Sequence, residues 1–188
     1  MKTKFKNSEK GFALPLALLL LVVMTIMGVI LVTITLNEHK ANTDKDSNQQ
    51  AFYAAESGIA VAKKYMVDNT SIITGSSQKN LDNDLKFCKD SFFPNLRTSN
   101  GITLGRKSLN EVITASGAEA TRLSKFSFEY FIAYSPDANG NNSSPKKKSG
   151  TNNTLYTIYS CGCNESKDKC SAQSNVIVPL EAVVTLVN

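Results

Sequence analysis

The sequence predicts an α+β protein, in which one long N-terminal helix packs on a small antiparallel β-sheet. Three patterns carry that expectation. Residues 12–36 form an unbroken, uncharged apolar run of 25 residues. Farther on, Phe52, Ala55, Ile59, Ala62 and Met66 recur at steps of three and four, the spacing of one helical face. Residues 125–134 alternate, placing Phe126, Phe128, Tyr130, Ile132 and Tyr134 on one side, the period of a half-buried strand. A chain of 188 residues has room for one domain plus an anchor, and 41% hydrophobic with 20% charged residues is the composition of a folded protein.

Residues 1–11 read as a short basic leader. Lys2, Lys4, Lys6 and Lys10 against Glu9 hold most of the formal net charge of +5, so the remainder of the chain is close to balanced. Basic charge placed before an apolar run favours a cytoplasmic N-terminus. It is poor evidence for nucleic-acid binding, and nucleic acid is not an expected partner. Residues 12–36 exceed the roughly 20 apolar residues that span a bilayer as a helix. They are also longer than the usual core helix and lack flanking caps. The prediction is a single-pass anchor in the cytoplasmic membrane, with membrane lipid as its surroundings and the rest of the chain outside.

Residues 37–67 continue the helix. The stretch 37–50 is polar all round yet free of proline and glycine, with low intrinsic helical stability that invites melting or a kink. Residues 68–188 are the extracytoplasmic head. Residues 68–110 read as an irregular connection, and a weak strand is expected at 112–114. Further strands are expected at 125–134, 154–160 and 175–187, with Pro179 marking the last as an edge strand or a bulge. Residues 135–153 form a long polar loop, the most exposed candidate contact surface.

Cys88, Cys161, Cys163 and Cys170 all fall in the external part, where disulfides form and persist. Four cysteines allow three connectivities, and the sequence leaves the choice open. Zinc is the rival reading, but Cys161-Gly-Cys163 lacks the usual two-residue spacing and the only histidine, His39, lies far upstream.

Residues 10–14, reading KGFAL, lead directly into the apolar run and resemble the class III leader of type IV pilins and pseudopilins. The resemblance implies cleavage by a prepilin peptidase between Gly11 and Phe12, then N-methylation of Phe12. Major pilins carry a glutamate as the fifth mature residue, which meets a neighbouring subunit's N-terminal amine. Here that position is Leu16, and the apolar run offers no substitute carboxylate. In this the chain is similar to PilX-type minor pilins and the minor pseudopilin K of type II secretion, both placed at or near a filament tip. Residues 49–58, reading QQAFYAAESG, resemble the segment that follows the membrane helix in PilX-type pilins. Together the two motifs cover about the first third of the chain. They imply a structural subunit whose partners are other pilins, the prepilin peptidase, the inner-membrane assembly platform and a tip adhesin. Its roles would be filament initiation and pilus-linked adhesion, motility or DNA uptake. A pseudopilin of a secretion machine and an unprocessed membrane-anchored binding domain are the alternatives.

No enzyme is expected. A lone histidine in a polar juxtamembrane stretch supports neither a Ser-His-Asp nor a Cys-His arrangement, and no glycine loop for phosphate appears. Neither catalytic residues, a cofactor nor a metal site is assigned. Asp137, Asn139 and Asn141 alternate as calcium ligands do, but the glycine is misplaced and Lys148 stands where a glutamate would close the loop, so a turn is the reading. Glu165 and Asp168 are interspersed with lysines, which works against calcium. The run Lys146, Lys147 and Lys148 lacks interleaved aromatics and reads as a solvated loop. Glu56 either pairs beside the apolar stripe or faces solvent.

Overall fold

The computed structural model describes residues 13–171 and 176–186. The chain divides between Lys45 and Asp46 into two compact units. A single helix, α1 (Ala13–Asp68), supplies the whole described part of the first unit and enters the second. Pro15 sits in its first described turn. The helix stays unbroken through the polar stretch 37–50. A local side-chain pair supports it there: Gln50 Nε2 donates to Asp46 Oδ2 at 2.9 Å. Side-chain pairs four apart add a few tenths of a kcal/mol each, about 0.2–0.5.

The second unit is α+β, as expected. After α1 comes a short helix α2 (Thr70–Gly75), which buries Ile73. Strands β1 (Lys79–Asn80) and β2 (Asn100–Gly101) form a small ladder. The main sheet contains β3 (Thr103–Ser108), β4 (Ser127–Tyr134), β5 (Lys146–Lys147), β6 (Thr154–Cys163) and β7 (Ile177–Leu186), all antiparallel. Strand β6 is central, pairing with β4 over 156–163 and with β7 along its whole length. At Thr154 and Leu155 the short β5 takes the side that β4 has left. Among the described residues β7 pairs only with β6, so Pro179 does lie on an edge strand.

Several expectations fail. Residues 112–114 form no strand; they follow a 3-10 turn, Leu109–Glu111, and precede a third helix, α3 (Gly117–Leu123). Strand β3 lies where an irregular connection was read. Its sequence, TLGRKS, shows no apolar alternation, because the ring of Tyr130 on β4 covers Gly105, its cross-strand partner. The loop 135–153 is not uniformly exposed. Asn142 is fully buried, accepting from Thr98 Oγ1 at 2.9 Å and donating to the Asn100 carbonyl at 2.9 Å.

Both faces of the sheet are covered. On one face Phe126, Phe128, Tyr130, Ile132, Tyr156 and Ile158 pack with Ala54, Ala62 and Met66 of α1. On the other, Phe131, Ala133, Tyr159, Cys161 and Cys163 meet a strap formed by residues 76–100, through Leu81, Leu85, Phe87, Cys88, Phe93 and Leu96.

The helical face that meets the sheet keeps Ala55, Ile59, Ala62 and Met66 of the predicted stripe but not Phe52. Ala51, Ala54, Ala55, Gly58, Ala62 and Met66 are buried, whereas Phe52 is 42% exposed. Close approach is the reason. A Cβ at Gly162 of β6 would stand 1.9 Å from the Ala51 carbonyl oxygen, so the strand touches helix backbone directly. Next to it, the buried Ser160 Oγ donates to the Ala55 carbonyl at 2.8 Å. Only small side chains leave room for that contact, and a phenylalanine is displaced from it. We predict that Gly162→Ala destabilises the head by about 1–3 kcal/mol, the usual range for overpacking. Ala60→Ser, on an exposed position of the same helix, should cost under about 0.5 kcal/mol. Urea unfolding of the detergent-solubilised chain, followed by circular dichroism, measures both.

Candidate functional site

Two surfaces bear on function, one in each unit. The first is the apolar part of α1. Residues 14–36 carry no charge, and every one of them is exposed. This part of the helix is long and apolar enough to cross a membrane, and none of its apolar window is buried against the protein. A core helix of a soluble domain would instead be mostly covered. Its hydroxyls need no outside partner: Thr25, Thr33 and Thr35 each donate to a carbonyl three or four residues earlier, at 2.8–2.9 Å. Such back-bonding lets a polar side chain sit in hydrocarbon. Leu16, at the position where the resemblance would place a glutamate, is 56% exposed. Gly11 and Phe12, the expected processing junction, lie outside the described residues.

The second is the braced head. Its four cysteines form two disulfides, Cys88–Cys161 and Cys163–Cys170. The first ties the strap to β6; the second closes the short turn after β6, where Ser127 Oγ donates to the Glu165 carbonyl at 2.7 Å. Lys86 Nζ reaches the Asp168 carbonyl at 3.1 Å, joining strap and turn.

Beside the first disulfide lies an interaction that sequence reading missed. Glu129 of β4 is fully buried. Its carboxylate accepts backbone N–H bonds from Lys86, Phe87 and Cys88, at 2.8–3.1 Å, and from Arg106 Nε of β3 at 2.8 Å. The Arg106 terminal nitrogen also meets the carboxylate and donates to the Asp84 carbonyl at 3.0 Å. Three consecutive amides converging on one carboxylate form an anion nest, here filled from within. Alternation alone makes Glu129 look solvent-facing. The available signal was that Phe131 and Ala133 share its side of the strand, which implies a second covered face.

The remaining candidates behave as ordinary surface groups. Asp137 Oδ1 accepts the backbone N–H of Asn139 at 2.8 Å and of Asn141 at 2.9 Å, closing a turn. The Asn141 bond is the main cause that holds this carboxyl below its ordinary pKa. Lys146 Nζ donates to the Pro136 carbonyl at 2.6 Å, while Lys147 and Lys148 are exposed. Glu56 is exposed on α1. Among the described residues no group of three or more His, Cys, Asp and Glu side chains is placed to hold a metal ion. The Tyr159 phenol is pushed above its ordinary pKa, chiefly by burial, and its ring stacks on Phe131 at 4.9 Å.

No family model, curated protein or solved structure matches this chain.

The two disulfides close loops of very different length, with sequence separations of 73 and 7. By the chain-entropy account, losing the first costs about 4 kcal/mol and losing the second about 2 kcal/mol. C88S/C161S should therefore lower the urea midpoint of the head roughly twice as far as C163S/C170S, measured on the full chain in detergent.

Proposed function

We propose that this chain is a membrane-anchored, pilin-like structural subunit, a minor pilin of a type IV pilus. The observation that carries the reading is the helix α1: its first part presents only exposed, uncharged side chains, and its last part forms one layer of a disulfide-braced head. Such a helix serves two states in turn. In the bilayer its side chains meet lipid; in a filament the same surface packs against the helices of other pilins.

The QAFYAAE string (residues 50–56) has a physical role that supports the resemblance. Ala51, Ala54 and Ala55 are fully buried, and the contacts of Gly162 and Ser160 fall on the backbone of Ala51 and Ala55. The alanines thus set how closely helix and sheet approach. Leu16 in place of the pilin glutamate supports a place near the filament tip, where no subunit above supplies an amine to neutralise. A carboxylate without such a partner is costly in hydrocarbon, by several kcal/mol. In this reading the prepilin peptidase cleaves between Gly11 and Phe12 on the cytoplasmic side. The head faces outward, and the inner-membrane assembly platform and a tip adhesin are further partners. The cysteines brace a small head that works in an oxidising compartment.

Processing tests the proposal. In a host with the prepilin peptidase, the intact mass and N-terminal sequence of the extracted chain should show a start at methylated Phe12. In a peptidase deletion, or with Gly11→Val, residues 1–11 should remain and the methyl group should be absent. The same uncleaved start in both strains overturns the pilin reading in favour of an unprocessed membrane-anchored domain.

A further inference from the structure

Four residues on neighbouring strands form one row across the sheet. Arg106 on β3 pairs with Glu129 on β4, Glu129 pairs with Cys161 on β6, and Cys161 pairs with Pro179 on β7. The Glu129 carboxylate that receives the Cys88 N–H at 2.8 Å therefore belongs to the direct cross-strand neighbour of Cys161, the residue to which Cys88 is bonded.

The alternatives to that bond are limited by strand geometry. Cys161 and Cys163 lie two apart on β6, so they project from the same face and both meet the strap side. Their Cβ atoms on an extended strand are about 6.8 Å apart, against about 3.8 Å in a disulfide, so they do not pair with each other. The competitor is the isomer that joins Cys88 to Cys163 and Cys161 to Cys170. A strap shifted by one pleat along β6 would form it. The apolar contacts of the strap are non-directional and resist such a shift weakly. The Glu129 clamp is directional: three strap amides must meet one buried carboxylate, and a shifted strap would strip those three donors from it and leave Arg106 alone opposite the charge.

We infer that Glu129 selects the disulfide pairing of the head: by gripping the amides of residues 86–88 it sets Cys88 over Cys161 and away from Cys163. The oxidant is a low-molecular-weight disulfide such as oxidised glutathione. The Cys88 thiolate displaces one glutathione thiolate to give a mixed disulfide. The Cys161 thiolate then attacks the Cys88 sulfur and releases the second glutathione. Two protein thiols are oxidised, one glutathione disulfide is reduced, and the two thiol protons end on the two glutathiones. Glu129 takes no part in the electron transfer and acts by position alone.

The test is equilibrium refolding of the reduced full-length chain from urea into detergent, in a defined glutathione buffer. Thiols are then trapped with N-ethylmaleimide, and the bonds are mapped by non-reducing mass spectrometry with electron-transfer fragmentation between Cys161 and Cys163. Wild-type protein should show Cys88 bonded to Cys161. In E129A the ratio of this form to the isomer bonded through Cys163 should fall at least about tenfold. E129Q, which keeps an acceptor oxygen but loses the charge opposite Arg106, should fall part of the way. With the competitors removed in a C163S/C170S background, E129A should still join Cys88 to Cys161. An unchanged ratio in both E129A and E129Q overturns the inference. So does failure of E129A to form the single bond in the C163S/C170S background, since Glu129 would then be needed for folding and not for choice of partner. If E129A yields no oxidised monomer in the four-cysteine chain but forms the single bond in the C163S/C170S background, the ratio in E129Q decides.

Discussion

A carboxylate taken wholly out of water is stable only where several donors replace its hydration, and the head is arranged around one such group. Glu129 draws on three separate segments of the chain at once. Its own strand supplies the acid, β3 supplies Arg106, and the strap supplies the amides of residues 86–88. None of these contacts is local in sequence, since they reach across 23 to 43 residues. The strap has little regular structure beyond a 3-10 turn, Asp90–Phe92, and the β1–β2 ladder. Its place over the sheet is fixed by this grip, by the adjacent disulfide and by the apolar side chains beneath it. Directional and non-directional forces thus divide the work: burial of Leu81, Phe87 and Phe93 holds the strap down, while Glu129 decides where.

The opposite face of the sheet is governed by closeness. There, Gly162 and Ser160 let β6 reach the backbone of α1, and the helix answers with alanine and glycine. The two faces therefore use opposite means. One seats a helix by removing side chains, and the other seats an irregular segment with a buried charge. Strand β6, flanked by neighbours on both sides, carries contacts to both layers, which is why its residues alternate between Ser160 and Gly162 on one face and Tyr159, Cys161 and Cys163 on the other.

This division explains what could be read from the sequence. Strand β4 was legible because its helix-facing apolar residues alternate without interruption, and the apolar part of α1 because its composition admits little else. Strand β3 was not, since its covering group is the Tyr130 ring supplied by another strand. The stripe on α1 holds at Ala55, Ile59, Ala62 and Met66 and fails at Phe52, because apolar periodicity favours the largest side chain whereas the packed face selects for the smallest there. Residues 112–114 are β-branched enough to suggest a strand, but they continue from a 3-10 turn and have no ladder to join. Phe131 and Ala133 mark the face of Glu129 as covered, but nothing in the spacing of the sequence pairs that carboxylate with Arg106 or with the amides of residues 86–88. The choice among three disulfide connectivities was illegible for the same reason: it depends on which strap residue lies over which row of the sheet.

The loop between β4 and β6 has one consequence of its own. Asn142 fastens its near end to the strap and β5 pairs beside β6, while residues 148–152, between β5 and β6, are exposed. The tip is thus decoupled from the fold on both sides. Doubling the length of a flexible loop costs only about 0.6 kcal/mol in closure entropy, and residues 148–152 bury no side chain. Changes of sequence or length at that tip therefore leave the packing problem of the head untouched, and the surface the tip presents can vary independently of how the head folds.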